Sequence, residues 1–231
     1  MKNEDPLLSP CKGEAIYVLR LAVYQLRQRD FSLFTFHSSL FTKRNVTSIL
    51  QSSLFILHLK PPMYALIDCN SFFCSVEKVF HPGLEGKPVV VLSSNDGCIV
   101  ALTPEAKRIG LHRGDPIFKV EGIVKHYGVQ VFSSNMQLYA AMSKRVTSIL
   151  RKSIHHVENY SIDESFCDLN GYEKHFDLVR MMKEIRERIL LWTDIPVSIG
   201  IAPSKTLAKI GSKFAKQYKG YGGVCFIDTE K

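Results

Sequence analysis

From Met63 onward the sequence predicts a mixed α and β fold. Three observations carry that expectation. Short apolar runs bounded by turn residues recur along the segment, two long stretches place apolar residues at helical spacing, and the two kinds of element interleave. Residues 64–67 form a short apolar run ending at Asp68, which suits a buried strand. Ser71 stands where a cap is expected for a helix reaching about Phe80, since a serine hydroxyl can accept from a free N–H of the first turn. Residues 88–92 read as a second strand, and Asn95-Asp96-Gly97 is turn chemistry ahead of another strand at 98–101. Thr103 then opens a helix with Pro104 at its first position, where a missing N–H costs nothing, and Gly110 stops it.

Two long helices follow. In 135–152, Leu138, Met142, Val146 and Ile149 share one face, and in 173–191, Leu178, Met182, Ile185 and Ile189 do the same. Between them, 157–160 and 165–169 flank 161–164 as a strand pair with a tight connection. Residues 197–201 are a further strand and 204–216 a last helix. Neither G-x-G-x-x-G nor G-x-x-x-x-G-K occurs, so no dinucleotide or P-loop site is indicated.

The 231 residues give room for one large domain or two small ones. Apolar residues at 45% and charged residues at 23% exclude a disordered or fibrous chain. The net charge of +8 favours an anionic partner, nucleic acid or nucleotide before an acidic membrane surface. Six cysteines without a C-x-x-C pair suit neither a zinc ribbon nor a disulfide scaffold, and they read as small buried hydrophobes in a reducing, cytoplasmic setting.

Composition changes near residue 62. Only Gly13 of the 14 glycines precedes Met63, and no acidic residue occurs from Phe31 to Ile67. The longest uncharged run there, 45–59, has 15 residues, short of the roughly 20 that a membrane span needs. Pro61-Pro62 stops any helix. Residues 1–62 are therefore expected to be an atypical N-terminal extension outside the core fold, translated from an upstream start.

Two groups of charged residues carry chemistry. Asp68 ends one apolar strand, and Asp163-Glu164 sits at the edge of the strand pair. If those strands are neighbours, three carboxylates converge and need a divalent cation to relieve their repulsion. Mg²⁺ takes hard oxygen ligands of this kind, and such a site can hold two ions. By residue type alone, an Asp at a strand end is commonly a turn or cap residue, and an Asp-Glu pair in a tight connection is commonly just solvated. On the last helix, Lys205, Lys209, Lys213 and Lys216 line one face, opposite Leu207, Ile210 and Phe214, which read as the core stripe. Such a face can meet phosphate or simply be solvated. Lys107 and Arg108 form a second basic spot.

At this point the sequence resembles a family. YALIDCNSFFCSVE (64–77), GKPVVV (86–91), EAKRIG (105–110), YSIDESF (160–166) and SKTLAK (204–209) are similar, in order and spacing, to motifs of the Y-family translesion DNA polymerases. SSNDGC (93–98), GDP (114–116) and FSSN (132–135) resemble the UmuC-type branch, the catalytic subunit of bacterial DNA polymerase V. The resemblance implies an α+β fold: a ferredoxin-like polymerase palm from 63–73 and 133–223, a small fingers subdomain at 74–132, and the start of a palm-to-thumb connection at 224–231. The family's thumb and little-finger domains have no counterpart in this chain, so weak DNA binding is expected of it.

The resemblance also implies roles. Asp68, Asp163 and Glu164 match the metal-binding carboxylates, with the Cys69 carbonyl as a further ligand to a pair of Mg²⁺ ions. Phe73 matches the steric gate beneath the sugar, and Lys107 and Lys209 match positions that contact the triphosphate. Many members carry Arg where Lys107 stands, so a point charge replaces a two-pronged donor here. Pro104 stands where several members carry a tyrosine. The implied activity is error-prone, template-directed addition of dNTPs to a primer 3′-hydroxyl in the SOS response to DNA damage. Its implied partners are primer-template DNA, dNTP, a UmuD-like accessory subunit, a sliding clamp and a recombinase filament. A palm-type nucleotide cyclase, which Phe73 disfavours, and a non-catalytic remnant that binds DNA or a polymerase partner are the alternatives.

Overall fold

The computed structural model describes residues 62–228. The expectation for the N-terminal extension lies outside the described residues, apart from Pro62. The chain opens with β1 (Tyr64–Cys69), whose Ala65, Leu66 and Ile67 are fully buried. It turns sharply into α1 (Phe72–Phe80). Ser71 occupies the cap position, but the capping expectation is corrected: its backbone is left-handed, with φ of 45°, and its hydroxyl makes no capping bond. The turn is held instead by Ser75, whose N–H donates to the Ser71 carbonyl at 2.9 Å and whose hydroxyl donates to the Asn70 carbonyl at 2.7 Å.

β2 (Val89–Leu92) and β3 (Ile99–Leu102) follow as expected. α2 (Pro104–Arg108) is capped by Thr103, whose hydroxyl accepts from Ala106 N–H, and Gly110 ends the segment at φ of 92°. Two elements were not foreseen, α3 (Ile117–Tyr127) and β4 (Gln130–Phe132). β3, β2 and β4 make a smaller sheet, antiparallel between β2 and β3 and parallel between β2 and β4. One face of β2 (Val90, Leu92) packs with Leu102, Ala106 and Leu111, while Val89 and Val91 join Cys74 and Val76 of α1 in the larger core. β2 is thus shared by two cores. α1 itself spans residues 73 and 74, where the sequence suggested a boundary.

The remaining elements are α4 (Met136–Ser153), β5 (Val157–Asn159), β6 (Glu164–Asp168), α5 (Leu178–Thr193), β7 (Val197–Ala202), α6 (Lys205–Gln217) and β8 (Val224–Phe226). α5 begins later than expected, because Asp177 is the cap, accepting from Val179 and Arg180 N–H, and residues 172–174 form a separate tight turn. β8, also unforeseen, adds to β7 in parallel, so the larger sheet runs on to Phe226, past the suggested boundary at 223.

That sheet has the order β5-β6-β1-β7-β8, with β1 antiparallel to both neighbours. Strand alternation sorts its faces. Ala65, Ile67 and Cys69 of β1 and Val197, Ile199 and Ile201 of β7 enter the core with Met142 and Val146 of α4 and Met182, Ile185 and Ile189 of α5. On the opposite face α6 crosses β7 at Gly200, where an added Cβ would lie 3.0 Å or closer to three backbone atoms of α6. Leu207, Ala208, Phe214 and Ala215 are buried on α6, but Ile210, expected in this stripe, is only half-buried. The close Gly200–Gly211 approach fixes the helix rotation and leaves Ile210 on the flank.

Candidate active site

Register determines the site. Asp68 on β1 lies directly opposite Glu164 on β6, and a cross-strand pair shares one face of its sheet. That face is the one α6 covers. Asp163, one residue before β6, joins through its backbone, its carbonyl accepting from Cys69 N–H at 2.9 Å. The sequence motifs at 68 and at 163–164, far apart in the chain, are therefore adjacent at one end of the sheet.

Like charges directly opposite across a strand pair are unfavourable, and α6 answers them. Lys216 Nζ lies 3.0 Å from Asp68 Oδ1, and Lys209 Nζ lies 2.9 Å from a Glu164 carboxylate oxygen. Lys205 reaches Glu158 on the neighbouring edge strand. The stripe of lysines and the carboxylates are two halves of one electrostatic arrangement. The Glu164 hydrogen bond holds Lys209 above the ordinary lysine range, so it is fully charged at neutral pH. Its ammonium also sits 4.9 Å over the Tyr160 ring.

The side chains do not converge as the strand argument alone suggests. Asp68 turns to Lys216, Glu164 to Lys209, and Asp163 Oδ1 accepts from Ser161 Oγ at 2.6 Å. Among the described residues no three His, Cys, Asp or Glu side chains are gathered as a metal-holding group. The reason is local: each carboxylate finds a nearer donor on its own side. The donor set is nevertheless composed of hard carboxylate oxygens, the chemistry a small divalent cation takes. Cys69 is buried at 4% exposure, and burial pushes its thiol far up, so its sulfur is a poor ligand and only its backbone oxygen suits such an ion.

Phe73 occupies the first turn of α1, just past the end of β1. Its half-buried ring stacks on Tyr139 of α4, with centroids 4.4 Å apart and planes at 15°. Asn70, between β1 and α1, is tied to β7 by Ser198 Oγ, which donates to Asn70 Oδ1 at 3.0 Å. Lys107 is not brought into this group. It is exposed on α2 beside the smaller sheet, and among the described residues it makes no ion pair. Sequence reasoning placed Lys216 in the stripe without assigning it a carboxylate. The available signal was its position two helical turns beyond Lys209, on the same face. It missed Tyr139 and Glu77 altogether, although Glu77 is an acidic residue on the apolar side of α1.

Comparison with known proteins agrees with this geometry. The impB/mucB/samB family profile matches residues 67–213. Protein UmuC of Salmonella typhimurium is 49% identical over 157 residues, covering 68% of this chain and 37% of that protein. DNA polymerase IV 1 of Halalkalibacterium halodurans is 35% identical over 153 residues, 65% of this chain and 37% of that one. Among solved structures, DinB from Sulfolobus solfataricus superposes with a TM-score of 0.64 at 30% identity, covering 73% of this chain and 49% of that chain. An insertion ternary complex of Dbh DNA polymerase gives 0.65 at 30% identity, with the same coverage. The chain thus spans less than half the length of these curated relatives, and what it shares with the solved chains is their α+β palm and fingers region. With the family profile matching most of the chain and the sheet, helices and paired acidic motifs in register, the chain belongs to the impB/mucB/samB family.

Proposed function

We propose that the protein acts in template-directed addition of dNTPs to a primer 3′-hydroxyl, as a translesion DNA polymerase of the SOS damage response. The observation that carries this reading is the pairing of Asp68 with Glu164 across β1 and β6, with the Asp163 carbonyl bonded to Cys69 N–H. The names of the relatives, DNA polymerases among them, support it. Palm residues 63–73 and 133–223, fingers residues 74–132 and a connection at 224–231 are the matching division, with 1–62 outside the core.

Asp68, Asp163, Glu164 and the Cys69 carbonyl are the groups that would hold two Mg²⁺ ions. When bound, the ions activate the primer hydroxyl and steady the charge that leaves with pyrophosphate. The chain's own residues do the rest. Lys209 and Lys216 hold the acidic oxygens of the free protein in a neutralised state and prevent them from driving the strands apart. Lys209, charged at neutral pH, can turn from Glu164 to a triphosphate oxygen, and Lys107, which stands apart from this group in the free protein, is the fingers residue proposed for the same phosphates. Phe73 is the residue whose ring would face the sugar and crowd a 2′-hydroxyl. Partners by family are primer-template DNA and dNTP, with a UmuD-like subunit, a clamp and a recombinase filament as further candidates in the cytoplasm. Among the described residues no helix is long and apolar enough to cross a membrane.

Primer extension by the full-length protein tests the reading. Asp163→Ala or Glu164→Ala is expected to lower the rate at least about a thousandfold, since charge stabilisation at such a site is worth several kcal/mol. Extension at the unaltered rate by either variant would refute the assignment, and conversion of ATP or GTP to a cyclic product would favour a cyclase.

A further inference from the structure

α1 presents two residues at helical spacing toward one neighbour. Phe73 and Glu77 stand at i and i+4, and so lie along one side of the helix, with His81 following as its C-cap. The first two both touch Tyr139 of α4. The Phe73 ring lies on the Tyr139 face at 4.4 Å, and the Tyr139 hydroxyl donates to Glu77 Oε1 at 2.7 Å. Tyr139 is wholly buried and Glu77 is 5% exposed. A carboxylate is costly to bury, and this one takes no part in the carboxylate pair across β1 and β6. Its carboxylate meets His81 Nδ1 at 4.0 Å, and the His81 ring packs on Phe132.

Two contacts, one on the face and one at the tip, leave the tyrosine ring no freedom to tilt. We infer that Tyr139, locked by Glu77, is a positioning residue that sets the height and angle of the Phe73 ring and thereby the protein's discrimination between deoxyribonucleotides and ribonucleotides. The inference rests on the polymerase reading above, in which Phe73 faces the sugar. A phenylalanine gate has no hydroxyl of its own with which to anchor itself, so its orientation depends on what it stacks against. Burial and the carboxylate acceptor together raise the Tyr139 hydroxyl well above the tyrosine range, which keeps it a neutral donor. Because an offset of a few tenths of an ångström at a stacked ring moves its far edge, the buried pair can tune a contact it does not itself make.

The test compares insertion of a dNTP and of the matching rNTP opposite one template base by the full-length protein. Phe73→Ala examines the gate itself and is expected to abolish most of the discrimination. Tyr139→Phe keeps the ring and removes only the lock. It is expected to lower the dNTP/rNTP ratio of kcat/KM about tenfold, through faster rNTP insertion, with dNTP insertion changed less than about threefold. Glu77→Gln retains an acceptor for the hydroxyl and is expected to restore a ratio near that of the unaltered protein. In the Phe73→Ala background, Tyr139→Phe is expected to cause no further loss, because the two act as one unit. Tyr139→Phe lowering both rates equally, or neither, would overturn the inference while leaving the gate intact. An unchanged ratio in Phe73→Ala would overturn the gate and the inference with it. The ring also reports directly, without activity. In ¹³C-phenylalanine spectra, with Phe73 assigned by Phe73→Leu, its ring signals should carry a ring-current shift that Tyr139→Leu removes and Tyr139→Phe partly averages. A Phe73 signal indifferent to both changes contradicts the stacked lock.

Discussion

Gly200→Ala puts the packing of α6, and with it the candidate site, to a quantitative test. Gly200 lies on β7 beneath α6, and its backbone needs no left-handed freedom, so the demand is purely one of space. A Cβ there would stand 2.7 Å from the Gly211 carbonyl carbon and closer still to the Ala208 carbonyl oxygen and the Ser212 nitrogen. All three are backbone atoms of one helix, so no side chain can swing away. Ordinary contact at about 3.5 Å or more requires α6 to move by about 1 Å or more. Overpacking of this kind costs about 1–3 kcal/mol, and a rigid obstacle on one helix puts this case at the upper end, about 3 kcal/mol. For a domain of this size that corresponds to a Tm drop of about 6–12 °C. The same shift draws Lys209 and Lys216 off Glu164 and Asp68, so primer extension should fall with stability. Gly122→Ala is the matched control. Gly122 lies mid-helix in α3 with nothing within 4 Å of an added Cβ, and the change should stabilise by about 0.5–1 kcal/mol. Thermal unfolding followed by circular dichroism reads both. A Tm within about 2 °C of the unaltered protein for Gly200→Ala would refute the packing argument.

Three further outcomes follow from local structure. Thr103 Oγ1 accepts from both Ala106 N–H and Val89 N–H, at 3.4 and 3.1 Å, so Thr103→Ala strands a buried donor as well as removing a cap and should cost about 1–3 kcal/mol in urea unfolding. A loss below about 0.5 kcal/mol would contradict that double role. Burial pushes the Cys74 and Cys167 thiols up to about 12 and Cys225 to about 11, while Cys98 is only half-buried. Alkylation of the native protein near pH 8, mapped by mass spectrometry, should therefore mark Cys98 and spare Cys69, Cys74, Cys167 and Cys225 until unfolding. Lys209→Met should cost about 1 kcal/mol of stability, since Lys209 is half-exposed while its partner Glu164 is mostly buried, and should impair extension strongly. Glu164 raises the Lys209 value in the folded state, so the pair's contribution is complete at neutral pH and is lost as pH climbs through that value. The stability gap between the two proteins should narrow above about pH 10.4, and a widening gap would contradict the pairing.

The buried faces of α4 and α5 were legible because Met142, Val146 and Ile149, and Met182, Ile185 and Ile189, repeat at the helical period. The helix start at Thr103 was legible because a cap bonds locally, and the helix ranges begun at Asn135 and Ser204 start on residues whose side chains also cap. Ser71 misled because its residue type suits a cap while the turn after β1 demands a left-handed backbone. α3 carries no fully buried residue, which weakened its signal, and it was missed although Ile117, Val120 and Val124 with Gly128 behind them carry the helical pattern and stop. β4 and β8 are three residues long and exist because a neighbouring strand offers hydrogen bonds, which local pattern cannot report. At the site, motif spacing brought Asp68 to Glu164 only through resemblance, and register supplied the physical reason. That Lys216 would close on Asp68, 148 residues away, depends on the Gly200–Gly211 crossing, which no local pattern encodes.

The central claim is that Asp68 and Glu164 are poised to exchange their lysine partners, and Asp163 its Ser161 hydroxyl, for a divalent cation. A crystal of the protein grown with Mn²⁺ and dNTP, measured at the manganese absorption edge, tests it most directly. The account predicts anomalous density within about 2.2 Å of oxygens of Asp68 and Glu164, with Lys209 and Lys216 swung away from their present partners. Anomalous density elsewhere, with both lysines still on their carboxylates, would contradict it.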